Sequence, residues 1–245
     1  MKKTSFFGFQ VFTLGLASVA ISAISAHSAT AATINLTFTK LSGLTGGTPQ
    51  GTAVFRADLS DLGFDISSIT IADSNSASGG SGSEFSGFDL DGIKLSNTLI
   101  TDASLINTLP SLSVFNFSPS GTIFTPGTQR PPVAPTLFGT SGGTIDNTIA
   151  TLGDFDGNST TGASAAGFAS LGDGGKVGFN LTSLVSTTGL LYLYIGEVGD
   201  NGEVADGQIT VSSNPISVPE PSSLAALSLM SIGLTALRRK KMNAV

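Results

Sequence analysis

The chain has 245 residues, of which only 11% are charged and 7% aromatic, and its 31 glycines lie among many Ser, Thr, Asn and Asp residues. Strong helix formers are too sparse to predict long soluble helices. Cysteine is absent, which excludes disulfides, cysteine metal sites and thiol nucleophiles.

Residues 1–32, MKKTSFFGFQVFTLGLASVAISAISAHSATAA, have the three parts of a secretory signal peptide. Lys2 and Lys3 form a basic start, and Phe6 to Ala26 supply the apolar stretch. Ala29, Ala31 and Ala32 provide the small residues that signal peptidase needs beside its cut. Cleavage after Ala31 or Ala32 starts the mature chain near Thr33. It also removes His27, the chain's single histidine. A Ser-His-Asp triad, a Cys-His pair, an HExxH zinc site and a histidine general base are then all unavailable.

Residues 33–216 read as one all-β domain. Strand patterns recur at 34–43, 51–60, 66–74, 87–96 and 114–124, and again at 176–185, 190–199 and 207–213. Ser78-Gly79-Gly80-Ser81-Gly82 and Asp173-Gly174-Gly175 punctuate them as turns. Residues 125–140 contain four prolines and are expected to form a long surface loop. Eight or so strands spaced in this way predict a single β-sandwich, jelly-roll-like in topology.

This domain holds five cations (Lys40, Arg56, Lys94, Arg130 and Lys176) against sixteen carboxylates, a net charge of −11. Such a surface repels phosphate backbones and argues against nucleic-acid partners. It suits a soluble surface protein or a Ca²⁺ binder. Asp89 and Asp91 in GFDLDG lie two apart, so a strand places both carboxylates on one face. They are candidate Ca²⁺ ligands at a sandwich edge; the competing reading is a solvent-facing polar side opposite Phe88, Leu90 and Ile93. Asp154, Asp156 and Asn158 in DFDGNST repeat the alternation and are further candidate ligands. An EF-hand is excluded there, because Gly157 is misplaced and the twelfth position lacks Glu. Asp200, Glu203 and Asp206 make a third acidic loop.

Enzyme signatures are lacking. SLGDGGKVGF fails as a phosphate loop, with Ser170 where Gly is needed and Val177 where Ser or Thr is needed. Missing histidine leaves a two-carboxylate glycoside hydrolase open, but no spacing selects a pair among the acids, and Trp is absent. Tyr192 and Tyr194 are expected to share one face of a strand. Asn35, Asn158 and Asn180 fit the N-glycosylation pattern.

Residues 217–245 follow a different plan. Val218-Pro219-Glu220-Pro221 leads into 16 uncharged residues, Ser222 to Leu237, and then Arg238, Arg239, Lys240 and Lys241. The prolines break any helix running back into the domain. The apolar stretch approaches the lower limit for a membrane-crossing helix, and the basic cluster favours the cytoplasmic side. This arrangement resembles the PEP-CTERM sorting signal of Gram-negative bacteria. GFDLDGIKLS, FTPGTQRPP and YLYIGEVGDNGEVADGQITVS are similar to ectodomains of cyanobacterial PEP-CTERM proteins.

The resemblance implies export through the inner membrane, transient anchoring by the tail and processing by an exosortase at Pro219, Glu220 and Pro221. It implies retention by Arg238 to Lys241 until that cut, and then a place on the cell surface or in an exopolysaccharide matrix. The expectation is a non-enzymatic protein with a structural or adhesive role, contacting exopolysaccharide or matrix proteins. The alternative is a Ca²⁺-dependent carbohydrate-binding module.

Overall fold

β-branched and small residues alternating between glycine turns fold into short antiparallel strands in the computed structural model, which describes residues 31–48, 50–75, 82–157, 167–200 and 209–217. Residues 1–30 of the expected signal peptide and 218–245 of the expected tail, with Ala29, Pro219, Glu220, Pro221 and Arg238 to Lys241, lie outside these residues, as do Asn158, Glu203, Asp206 and most of the Ser78 to Gly82 turn. All described residues belong to one unit, Ala31–Val245.

The strands are β1 (Thr33–Asn35), β2 (Thr39–Lys40), β3 (Thr52–Asp58), β4 (Ile66–Ala72), β5 (Asp89–Ser96), β6 (Thr122–Thr125), β7 (Thr140–Ser141), β8 (Thr144–Ile145), β9 (Ala169–Ser170), β10 (Lys176–Val185), β11 (Tyr192–Val198) and β12 (Ile209–Ser212). One five-stranded sheet runs β1-β12-β4-β10-β6 and the other β2-β3-β11-β5-β9, while β7 and β8 form a separate hairpin. Every strand pairing is antiparallel. The fold is all-β, with a one-turn helix α1 (Asn147–Ala150) and 3₁₀ turns at Ser83–Phe85 and Ala103–Thr108.

Both sheets feed one apolar core. Ile69, Ile71, Phe179 and Val211 enter it from the first sheet, and Phe55, Leu90, Leu193 and Ile195 from the second. A smaller cluster, including Val54, Ile106, Phe155, Tyr192 and Tyr194, covers the second sheet's other face. Consequently β5 and β11 are buried along their whole length. The Tyr194 hydroxyl, buried there, donates to the Thr98 carbonyl at 2.9 Å and accepts from the Ile100 amide at 3.0 Å.

Most expected strands appear within two residues of their predicted ends. The 34–43 segment instead divides into β1 and β2, which join different sheets. Leu36, between them, turns into the core. In the 114–124 segment only the end is a strand, β6, because Ser118 accepts amide hydrogens from Gly121 and Thr122 and closes a turn. Residues 126–139 are the expected loop, but Thr140–Ile145 forms a hairpin that the loop assignment did not anticipate.

Candidate functional site

Asp89 and Asp91 both lie on β5, where the sequence offered a solvent-facing side as one reading. Asp91 is fully buried and Asp89 only 4% exposed, because the loops over the second sheet cover that face as well. Glu197, on neighbouring β11, is a third buried acid.

The two aspartates are enclosed differently. Asp89 pairs in register with Ser170 of β9 and accepts a hydrogen bond from its hydroxyl. Burial pushes its carboxyl up to about 7, against the lowering effects of Ser170 and of Arg130. Arg130 also lies 3.3 Å from Asp173. Asp91 accepts from the Thr52 hydroxyl and from the Gly157 amide, which lies 3.2 Å from each carboxylate oxygen.

Asp91 also shares a hydrogen bond with Asp156. Burial first, and the facing Asp156 carboxyl next, push Asp91 up to about 8. Asp156, at the exposed end of the pair, is also raised, mainly by partial burial. The two raised carboxyls fit a pair holding one proton between them at neutral pH, with Asp91 as its main holder.

The segment that delivers Asp156 is fixed at Phe155. The Asn107 side-chain amide donates to the Phe155 carbonyl at 2.7 Å, and its oxygen accepts from the Phe155 amide at 2.9 Å. The ring is fully buried, with the Lys94 ammonium 5.4 Å from its centroid. Gly157 follows at φ +47°, and a Cβ there would lie 2.8 Å from both the Gln50 carbonyl oxygen and the Thr52 hydroxyl. Only glycine brings this amide so close to Asp91.

Asp91 and Asp156 are therefore brought together. Asp154 stands nearby as an exposed charge, felt by Asp156 and by Lys94. Asp89 is held separately by Ser170. Among the described residues, no group of three carboxylate, histidine or cysteine side chains is arranged to hold a metal ion. In the third acidic loop, Asp200 pairs with Lys40. At the other end, Ala31 and Ala32 immediately precede β1, and the Ala32 carbonyl accepts from the Ser213 amide at 3.0 Å.

Two elements of this region escaped sequence reasoning. Asn107 gave no signal, since a lone Asn in a Leu/Ile-rich stretch reads as a turn residue. Lys94 was counted only as charge, although it is 9% exposed on a strand buried on both faces. Asn180, read as a glycosylation acceptor, has its side chain engaged by Ile216. Among the described residues, no helix is long and apolar enough to cross a membrane. No protein-family model, curated protein or solved structure matches the chain.

Proposed function

We propose that the chain is an exported cell-surface or extracellular-matrix protein, sorted by an exosortase and built as a single jelly-roll-like β-sandwich with a structural or adhesive role beside exopolysaccharide. The observation behind this is the three-part tail: Pro219-Glu220-Pro221, an uncharged span and the Arg238 to Lys241 cluster, following an all-β body. A non-enzymatic role is supported by the loss of His27 with the signal peptide and by the enclosure of Asp89 and Asp91 behind Ser170, Thr52 and Gly157.

The test is fractionation of an exosortase-bearing Gram-negative host expressing the full chain, with the Pro219-Glu220-Pro221 segment either intact or replaced by alanines. The intact chain is expected outside the cell and the variant in the inner membrane. Identical distributions would contradict sorting by the tail.

The meeting of Asp91 with Asp156 favours a second reading, a Ca²⁺-dependent carbohydrate-binding module. A divalent cation displacing their shared proton would relieve the repulsion between the two carboxylates. Calcium would then raise the unfolding midpoint relative to EDTA, through its binding to the folded state. Equal midpoints would remove this reading.

A further inference from the structure

Away from the paired carboxyls, the 115–119 stretch, the β7–β8 hairpin and the start of α1 surround a cavity of about 550 Å³. That volume lies within the range of small-ligand pockets. Its walls are Phe117, Pro119 and Ile145 on the apolar side and Ser118, Ser141, Thr144, Asp146, Asn147 and Thr148 on the polar side. A second cavity, of about 240 Å³, is lined by Phe117 as well, together with Lys94, Phe115 and two exposed serines, Ser111 and Ser113. Phe117 is thus a wall shared by two adjacent hollows.

The ring is half-buried and held firmly. It stacks on Phe115, with centroids 5.7 Å apart, and meets the edge of Phe179 at 6.0 Å. A half-buried aromatic beside short hydroxyl and amide side chains matches a sugar ring. The C–H face of the sugar covers the aromatic, and its rim of hydroxyls needs both donors and acceptors.

Those donors and acceptors are available. Asp146 Oδ1 takes the Thr148 amide and hydroxyl at 3.0 and 2.6 Å, while Oδ2 has no partner among the described residues. Asn147 Oδ1 takes the Leu152 amide at 2.9 Å, leaving its Nδ2 group without a partner among those residues. Such donors favour an arriving hydroxyl.

Charge selects the kind of sugar. The larger cavity contains a carboxylate and no cation. Lys94 is balanced by nearby Asp154, and the domain as a whole is at −11. A uronate polymer would approach against this field, whereas a neutral one would not.

We propose that the larger hollow beside Phe117 is a binding site for a neutral polysaccharide, with Phe117 as the platform for one sugar ring and Asp146 and Asn147 as hydrogen-bonding partners of its hydroxyls. The site gives the adhesive reading above its contact surface, and it rests on that reading.

The test is affinity electrophoresis of the full chain through gels containing dextran, laminarin, mannan or, as the acidic arm, polygalacturonate. Phe117→Leu removes the ring and keeps an apolar side chain; Asn147→Asp keeps the acceptor for the Leu152 amide and removes the Nδ2 donors. Retardation by at least one neutral polymer is expected, with affinity falling about tenfold in each variant and the unfolding midpoint confirming that both fold. Wild-type retardation that both folded variants retain would overturn the site and leave the adhesive reading standing. Retardation by polygalacturonate alone would overturn the neutral ligand. No retardation by any polymer would overturn the site and the adhesive reading together.

Discussion

Gly196 of β11 lies directly beneath the ring of Phe155: a Cβ placed on it would stand 2.9 Å from Cδ1 of that ring. On the adjacent strand a Cβ at Gly92 would meet the same ring at 2.8 Å. The two glycines leave a flat seat on the sheet, and Phe155 fills it. Because Asp154 and Asp156 flank this ring, the seat also sets where the loop's carboxylates fall.

Phe155→Ala empties the seat and is expected to cost about 3–5 kcal/mol. Gly196→Ala overfills it at about 1–3 kcal/mol. In the double variant the costs should add only in part, since the smaller residue makes room on the ring side while Thr52 Cγ2, 2.7 Å from the new methyl, still has to yield. Urea unfolding of the four chains checks this. Additive costs would mean that the ring and the glycine do not touch in solution.

The carboxyl pair predicts an unusual pH dependence in EDTA. An ordinary aspartate titrates near 3.8, whereas Asp91 is raised to about 8 and Asp89 to about 7 in the folded chain. Between those limits the folded state holds protons that the unfolded state has released, so stability falls as pH rises. The favourable contribution is complete below about pH 4 and gone once pH has passed the folded values. Unfolding midpoints should therefore decline from pH 5.5 to pH 9. Asp91→Asn, which imitates the protonated acid, should flatten the decline and raise stability at pH 9. A profile as steep as that of the parent would assign the titration to other groups.

Much of the architecture was legible because strand composition is a local property. β3, β4, β10 and β11 are runs rich in apolar and β-branched residues bounded by turn residues, and their positions follow from that. The site was only half legible. Asp91 and Asp156 could be singled out as alternating acids, but their meeting depends on 64 residues of intervening chain and on Asn107. Alternation also cannot tell a water-facing side from one covered by a loop, which is why the burial of Asp89, Asp91 and Lys94 was hidden. The β7–β8 hairpin did carry a local signal: Gly142-Gly143, with φ of +58° and +79°, forms a two-residue turn between the paired strands. The prolines upstream outweighed it.

Asn180 predicts how the chain leaves the folded body. Its Nδ2 group donates to the Ile216 carbonyl at 3.1 Å and its oxygen accepts from the Ile216 amide at 2.7 Å. The Ile216 side chain lies over Gly178, where a Cβ would stand 2.3 Å from it. Residues up to 216 are thus strapped to β10 a few positions before Pro219. Asn180→Ala should speed hydrogen exchange at the Ile216 amide at least tenfold while leaving that of the Phe179 amide unchanged. Unchanged exchange at Ile216 would mean that the strap does not form.

The most direct test of the sorting account is the intact mass of the protein recovered outside an exosortase-bearing host. The account predicts a species trimmed at both ends, beginning near Thr33 and ending within the Val218 to Pro221 segment, before any attached modification. An extracellular species that still contained Arg238 to Lys241 would contradict it.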